Sequence, residues 1–203
     1  MNIYDFDYIV VGSGIAGLMC AIHLSDHGRV CVVTKKDSAE SNTNYAQGGI
    51  ACVVADDDSF DEHVQDTLKA GDGLCSEDVV RTVISHGPER IAELEQLGMK
   101  FAEQSTTSTS CYDLGMEGGH SKRRVLHAGD ITGHEVEMVL LKRVRATKNI
   151  SIIEHCMIID LITTGWLRLS GANRSVGGYF LNQNNGKILA IRAPYTILAT
   201  GGG

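Results

Sequence analysis

The sequence predicts an α/β fold in which a central parallel sheet with crossover helices is followed by an antiparallel β-meander. Two observations carry this prediction. An apolar strand at residues 8–11 runs into a glycine-rich turn, a helix at 15–27 and a second apolar strand at 30–34. Later in the chain, short strand patterns follow one another at regular spacing. Strands joined by a helix run parallel, whereas closely spaced strands joined by turns run antiparallel.

The glycine-rich turn has the composition and context of a dinucleotide site. Residues 7–17 read DYIVVGSGIAG, with glycines at 12, 14 and 17. Gly12 permits a tight turn out of the strand, Gly14 lets the backbone approach a pyrophosphate, and Gly17 lets the helix pack closely. The N-terminus of the following helix directs free N–H groups and a positive dipole end at the phosphates. An ordinary glycine turn is the alternative.

The end of the second strand indicates which dinucleotide is bound. An NAD site usually places an acid about 20 residues after the glycines to hold the ribose hydroxyls. This chain has Thr34, Lys35 and Lys36 there, with Asp37 and Glu40 further along. The basic strand end weakens the NAD interpretation and leaves FAD open. Lys35 is either an ordinary solvated lysine or a contact to the adenosine half of the cofactor.

Helices are predicted for the middle of the chain. The helix at 59–70 begins with Ser59 and Glu62 in capping-box spacing. Two more, at 76–86 and 88–97, are separated by Gly87-Pro88, and another spans 133–148 with Val136, Val139, Leu140 and Val144 on its inner side. The hydroxyl-rich residues 103–110 predict a loop.

The meander is predicted from apolar runs at 150–153, 156–162, 178–182 and 188–192, separated by turns such as Asn184-Asn185-Gly186. The strand at 195–199 then returns to the parallel sheet. The length favours one domain with an insertion over two complete domains.

Four motifs in order resemble one known family. They are the glycine turn, SNTNYAQGGIA at 41–51, EGGHSKRRVLHAGDITG at 117–133 and ILATGGG at 197–203. Together they are similar to the fumarate reductase and succinate dehydrogenase flavoproteins, and most to the members that oxidise L-aspartate. The resemblance implies a Rossmann-like FAD-binding domain over 1–203, the N-terminal part of a longer flavoprotein. On that pattern a capping domain and a helical C-terminal domain are absent from this chain, either through truncation or because they form a separate chain.

The resemblance also implies how FAD is held. Membrane-complex relatives carry a histidine joined covalently to the flavin where this chain has Asn42. Because an amide cannot form that bond, noncovalent FAD is expected. The resemblance assigns FAD contacts to Gly12, Ser13, Gly14, Ile15, Ala16, Gly17, Lys35, Asn42, Thr43, Asn44, Tyr45, Ala46, Gln47, Gly48, Gly49, Ala199, Thr200 and Gly201.

The implied reaction is the oxidation of L-aspartate to iminoaspartate, the first step of NAD biosynthesis. Hydride passes from Cα to flavin N5, and oxygen or fumarate reoxidises the flavin. Since other substrate-binding groups of the family lie beyond residue 203, little turnover is expected from this chain alone. The alternatives are a non-catalytic FAD-binding fragment, a fumarate reductase or succinate dehydrogenase and, more remotely, an NAD-dependent dehydrogenase.

Glu117 is the candidate catalytic residue. It lies in a glycine-flanked loop with little helix or strand propensity. The resemblance implies that it orients the substrate, because a carboxylate attracts the α-ammonium that distinguishes aspartate from succinate. The alternative is a solvent-exposed loop residue.

His120, Arg123 and Arg124 are weaker substrate candidates. Arginine grips a carboxylate with two parallel hydrogen bonds, which suits a dicarboxylate. Lys122, Arg123 and Arg124 could equally form an ordinary charged loop. No third ligand lies at metal spacing from His120 and His127, so no metal is expected.

Composition restricts the remaining functions. The formal net charge is −7, and no basic run exceeds Lys122-Arg123-Arg124, so nucleic acid is not an expected partner. No apolar run is long enough to span a bilayer, and no signal peptide is recognisable, so a cytoplasmic protein with no membrane partner is expected. The six cysteines form no CxxC pair, which favours free thiols.

Overall fold

The computed structural model describes residues 2–104, 111–129 and 131–201. The chain divides into two compact units, which are described separately. The first comprises Met1–Asn44 and Glu137–Gly203, and the second comprises Tyr45–Val136. No helix among the described residues has the length and apolar character that crossing a membrane requires.

A four-stranded parallel sheet forms the centre of the first unit. Its strands are β2 (Tyr8–Val11), β3 (Val30–Val33), β7 (Ile150–Ile153) and β11 (Tyr195–Leu198), in the order β11-β2-β3-β7. Helix α1 (Ile15–Leu24) connects β2 to β3. The predicted βαβ unit and the return of the last strand to the parallel sheet are both confirmed.

A second sheet of the first unit contains three of the four strands predicted for the meander. The fourth prediction was wrong, because residues 150–153 form β7, which pairs parallel with β3 in the central sheet. Strands β8 (Cys156–Thr163), β9 (Ser175–Asn182) and β10 (Ile188–Arg192) pair antiparallel in sequence order. Strand β1 (Asn2–Asp5), which the sequence did not predict, pairs parallel with β10. Its four residues show no clear alternation, and an Arg192 ion pair to Asp5 at 2.7 Å ties it to β10.

The core of the first unit lies on both faces of the parallel sheet. Ile9, Cys31, Val33 and Phe180 pack on one face, and Val10, Ala21, Val30 and Val32 pack on the other. Both faces of β2 and β3 are buried, as expected of strands in a parallel sheet.

The second unit contains helices α2 (Phe60–Ala70), α3 (Glu77–Ser85) and α4 (Gly87–Gln96). The capping box of α2 is confirmed, since Ser59 Oγ accepts from Glu62 N–H at 3.2 Å and donates to the Glu62 carboxylate at 3.1 Å. A small antiparallel sheet of β4 (Ile50–Ala51), β5 (Leu114–Gly115) and β6 (Val125–Leu126) was not predicted, because two-residue strands leave no periodicity to detect.

Helix α5 (Thr132–Ala146) contributes residues to both units. Helix boundaries differ from the predicted ones by one to three residues. Helix α1, for example, ends at Leu24 rather than at residue 27, because Ser25 donates its hydroxyl to the Ile22 carbonyl and closes the last turn. Residues 105–110 of the predicted loop lie outside the described residues. All six cysteines are free thiols, as predicted.

Candidate cofactor-binding site

The glycine turn joins β2 to α1 through contacts that leave no room for side chains. Gly12 has φ +116°, and a Cβ there would lie 2.1 Å from the Ala199 carbonyl oxygen at the end of β11. A Cβ on Gly17 would lie 2.1 Å from the Gly12 carbonyl oxygen, so α1 packs directly on the turn. The fold therefore requires both glycines.

Gly14 differs from these two glycines because the space beside it is open. A Cβ on Gly14 would lie 3.4 Å from Thr43 Oγ1, where it would enter the gap in front of the helix N-terminus. Gly14 is the N-cap of α1 without a side-chain cap, and no acidic residue lies in the first turn. The positive end of the helix dipole therefore lies at a cradle that fits a pyrophosphate.

A pocket of about 540 Å³ opens from the turn and belongs entirely to the first unit. It brings together predicted FAD contacts from four segments of the chain, namely Gly12, Ser13, Gly14, Ile15, Ala16, Lys35, Asn42, Thr43, Ala199, Thr200 and Gly201. The carboxyl ends of β2, β3 and β11 contribute to its wall, which is where ligands bind in open α/β sheets. Cys156, Met157 and Ile158 also line it and were not singled out from the sequence, because they belong to a strand of the meander.

A buried hydrogen bond fixes the turn to the end of β3. Ser13 Oγ donates to Thr34 Oγ1 at 3.1 Å, and both residues are about 95% buried. From the sequence, Thr34 was noted only because an NAD site would have an acid near that position. The structure gives it a specific role, which is to hold the middle of the glycine turn.

The charged residues after β3 line the pocket or pair with neighbouring side chains. Lys35 is exposed and lines the pocket together with Glu40. Glu40 pairs with Lys36 at 3.3 Å, and the Asp37 carboxylate lies 3.3 Å from His155 Nε2. The strand end itself therefore presents a lysine rather than an acid to the pocket.

The segment after Glu40 adds polar groups to the pocket wall. Thr43 Oγ1 accepts a hydrogen bond from Ile15 N–H, the first amide of α1, at 3.1 Å. Asn42 lies close to the end of the unit's last strand, because a Cβ on Gly201 would be 3.9 Å from Asn42 Nδ2. Ser41 Oγ accepts from Asn44 N–H at 3.3 Å, which forms a local turn.

Within the second unit, two of the sequence motifs meet. A Cβ on Gly49 would lie 2.2 Å from the Leu126 carbonyl oxygen, so this backbone lies flat against β6. A Cβ on Gly48 would lie 3.3 Å from Glu117 Oε1, so the exposed Glu117 carboxylate adjoins the glycine pair. Tyr45, Ala46 and Gln47 are exposed in the same unit, and the Ala46 carbonyl accepts from Gly133 N–H at 3.0 Å.

The three weaker substrate candidates have different surroundings. Arg123 is exposed and donates to the Leu114 carbonyl at 3.1 Å. His120 is half-buried, with its ring edge-to-face on His63 at 5.5 Å between centroids. Arg124 is fully buried and makes two hydrogen bonds of 2.8 Å to Asp58 and one of 2.6 Å to Asp66. These bonds give Arg124 a structural role, while its predicted substrate contact stays a prediction.

The carboxylates around Arg124 were not singled out from the sequence. Asp66 also accepts from the backbone N–H and the hydroxyl of Ser121, at 2.8 and 2.7 Å. Burial opposes the charge, but the hydrogen bonds from Ser121 and Arg124 prevail and lower the pKa of Asp66 to about 2. Asp66 lies four residues after Glu62 of the capping box, but no pattern in the sequence connects it with Arg124, 58 residues later.

A larger hollow of about 920 Å³ lies along the meander, between Ile159, Tyr179 and residues 185–189. Lys187 is the charged residue of its wall, and the glycine turn does not contribute to it. The smaller pocket is therefore the candidate site, because it combines a helix N-terminus with strand ends and converging polar groups.

The parallel sheet, the glycine turn and this pocket define a dinucleotide-binding α/β protein. The comparisons with known proteins make the assignment specific. Residues 7–203 match the model of the FAD binding domain family, and the chain belongs to that family. FAD, the cofactor expected from the sequence, is thereby confirmed, whereas the individual residues that contact it stay predictions.

Two relatives and one solved structure agree with the resemblance found in the motifs. L-aspartate oxidase 1 of Ralstonia nicotianae is 45% identical over 198 residues, which cover 98% of this chain and 37% of that protein. L-aspartate oxidase of Yersinia pestis is 43% identical over 197 residues, with 97% and 37% covered. A solved quinol fumarate reductase from E. coli superposes with a TM-score of 0.87 at 29% identity, over 100% of this chain and 33% of the other. The chain thus spans little more than a third of the length of these two relatives.

Proposed function

We propose that this chain is the FAD-binding part of a flavin-dependent oxidoreductase that oxidises L-aspartate to iminoaspartate. The observation that carries the proposal is the pocket of the first unit, where the glycine turn, Lys35, Asn42 and the end of the last strand meet. The similarity to L-aspartate oxidases over nearly the whole chain supports this choice of substrate. The reaction would be the first step of NAD biosynthesis, with oxygen or fumarate as electron acceptor and a cytoplasmic location.

The residues of the first unit would bind and orient the cofactor, which supplies the hydride acceptor when bound. The open cradle at Gly14 and the N-terminus of α1 would hold the pyrophosphate. Lys35 would contact the adenosine half, because it is the cation at the end of β3 that lines the pocket. Asn42 would lie along the flavin without a covalent link, since its amide is not a nucleophile.

The residues of the second unit would recognise the substrate. The exposed Glu117 carboxylate would attract the α-ammonium of aspartate, and its neighbour Gly48 leaves space beside it. Arg123 and His120 are the candidates for the substrate carboxylates. Arg124 is the weakest of these candidates, because Asp58 and Asp66 already accept its hydrogen bonds. We propose that a capping domain and further substrate-binding groups belong to the part of the relatives that this chain does not match.

Cofactor binding is tested by titrating the purified chain with FAD and following flavin fluorescence. We expect Gly14→Ala to weaken FAD binding at least about tenfold, because its Cβ enters the cradle without touching backbone. Gly115→Ala is the control, since its Cβ would meet only ordinary contacts in the second unit. Equal affinity of all three proteins would refute the cradle. Flavin that remains on the protein after acid precipitation would refute the noncovalent link.

Substrate choice is tested in a complete enzyme, made by joining this chain to the remaining two thirds of the Ralstonia relative. Glu117→Gln is expected to reduce aspartate oxidation far more than fumarate reduction, because only aspartate carries the ammonium group. Glu89→Gln, an exposed residue of α4, is the matched control. Equal losses in both reactions would show that Glu117 does not recognise the ammonium.

A non-catalytic FAD-binding fragment is the second candidate. The observation that favours it is that all the lining residues of the 540 Å³ pocket belong to the first unit. Peroxide production from L-aspartate by the chain alone would exclude this candidate. FAD binding without turnover would support it.

A further inference from the structure

Glu137 is a fully buried acid on the core-facing side of α5. Its neighbours on this helix face are Leu140 and Leu141, three and four residues later, and both are buried. Burial raises the pKa of Glu137 to about 7, with the Ser41 hydrogen bond acting in the opposite direction. A leucine could be buried at this position without the free-energy cost of burying an ionisable group, so the presence of Glu137 needs an explanation.

The hydrogen bonds of Glu137 lead to the cofactor pocket. Glu137 Oε2 accepts from Ser41 Oγ at 3.0 Å, while Oε1 has no hydrogen-bond partner among the described residues. Ser41 lines the pocket beside Asn42 and Thr43. The carboxyl group therefore makes its hydrogen bond to Ser41, a residue of the pocket wall, while its other oxygen stays unsatisfied.

The hydrogen bond between Ser41 and Glu137 also affects the residues that follow Ser41. Because the Ser41 hydroxyl donates its single hydrogen to Glu137, its lone pairs are free to accept from Asn44 N–H, at 3.3 Å. The resulting turn encloses Thr43, whose Oγ1 accepts from Ile15 N–H at 3.1 Å. Three hydrogen bonds and the backbone of segment 41–44 therefore connect a buried acid in α5 with the first amide of α1.

We propose that Glu137 is a positioning residue for the cofactor site: it orients the Ser41 hydroxyl and thereby fixes the segment 41–43 against the N-terminus of α1. Glu137 does not line the pocket, so it acts through Ser41 and Thr43 rather than by touching the cofactor. This inference rests on the proposed FAD site. It assigns to α5 a role that the motifs of the sequence do not contain.

The test compares Glu137→Leu, which removes the acceptor, with Glu137→Gln, whose amide oxygen still accepts from Ser41. Residue-resolved amide exchange of the cofactor-free chain is measured by NMR, with Ile15 and Asn44 as probes and the core strand residues Val10 and Val32 as references. In Glu137→Leu we expect exchange at both probes to rise about tenfold relative to the references, whereas Glu137→Gln stays within about twofold of the wild type. FAD dissociation constants should follow the same pattern.

Each outcome decides the proposal. Unchanged exchange at Ile15 in Glu137→Leu overturns it, and so does equal damage by Gln and Leu. If Glu137→Leu does not fold, Ser41→Ala replaces it, and faster exchange at Ile15 is again required. If the variants show the expected exchange pattern but the wild-type chain does not bind FAD, the proposed cofactor site is refuted and the positioning role of Glu137 remains.

Discussion

The two units of the molecule bury an ionisable side chain in opposite ways. Arg124 in the second unit is completely buried, but Asp58 and Asp66 neutralise it with three short hydrogen bonds. Glu137 in the first unit is equally buried, yet among the described residues its partner is a single hydroxyl, and one carboxyl oxygen has none. The charge of Arg124 is therefore compensated by two carboxylates, whereas the burial of Glu137 is only partly compensated by one hydrogen bond.

This difference indicates that a buried ionisable side chain can have either of two roles, to stabilise the fold or to position its neighbours. A compensated ion stabilises its surroundings only as long as every partner is present, because removing one partner leaves an unpaired buried charge. An uncompensated acid contributes little stability of its own, so its presence beside the pocket wall is better explained by what it positions. Replacing each group in turn tests whether the two buried side chains have these different roles.

The largest effect is expected from Arg124→Met, which fills a similar volume but leaves two carboxylates without their cation. Since the Asp58 side chain is also fully buried, we expect the free energy of unfolding to fall by about 3–5 kcal/mol. Urea denaturation followed by circular dichroism measures the loss.

Arg81→Met provides a matched control for Arg124→Met. Arg81 also pairs with two carboxylates, Asp61 at 2.6 Å and Glu77 at 3.2 Å, but its side chain is 47% exposed. Because solvent screens such exposed pairs, Arg81→Met is expected to lose much less stability than Arg124→Met. If both variants lost the same stability, burial would not be the reason for the effect of Arg124.

The second-largest effect is the pH dependence of the free energy of unfolding that Glu137 causes. Burial raises its pKa to about 7 from a reference value of 4.5, so the folded state binds this proton more tightly than the unfolded state. The corresponding stability is complete below pH 4.5 and is lost as the pH rises through about 7, by up to about 3 kcal/mol. Unfolding free energies measured between pH 5 and 8 should therefore fall in the wild type and stay flatter in Glu137→Gln. Parallel curves for the two proteins would contradict this expectation.

Asp66 should produce the opposite pH dependence in the second unit. Its pKa of about 2 lies below the reference value of 3.8, because hydrogen bonds from Ser121 and Arg124 outweigh the effect of burial. The stability that it contributes is present above pH 3.8 and is lost as the pH falls through about 2, by about 2 kcal/mol. Asp66→Asn should therefore lose less stability than the wild type between pH 4 and 2, as measured by acid titration in moderate urea.

Sequence reasoning succeeded where local chemistry repeats along the chain. The strands around the glycine turn, the capping box at Ser59 and three strands of the meander have patterns of a few residues, and the structure contains them. The strand at 150–153 was also found, but its place in the parallel sheet depends on pairing with β3, which its own pattern does not show. Strand β1 was missed, because what makes Asn2–Asp5 a strand is pairing with β10, far away in sequence. Two-residue strands such as β4 depend entirely on tertiary pairing in the same way.

The site shows the same limit at the level of single side chains. Gly12 and Gly17 could be assigned from spacing, because their role depends on a turn of six residues. Glu137 could have been found by its position three residues before Leu140, on the predicted inner face of its helix. Asp58 and Asp66 could not, since only the folded chain brings them to Arg124, at sequence separations of 66 and 58.

The smallest loss of stability is expected for the Ser13–Thr34 pair, whose hydroxyl groups bond to each other at the pocket, unlike Glu137, which has one unsatisfied oxygen. Ser13 Oγ and Thr34 Oγ1 are 3.1 Å apart and buried, and each supplies what the other needs. Thr34→Val removes the acceptor and leaves a buried hydroxyl unpaired, so a loss of about 1 kcal/mol is expected. Adding Ser13→Ala should recover most of that loss, because the double variant contains no orphaned donor. A double-mutant cycle by urea denaturation tests this, and additive losses would mean that the two hydroxyls stabilise the turn independently rather than through their shared bond.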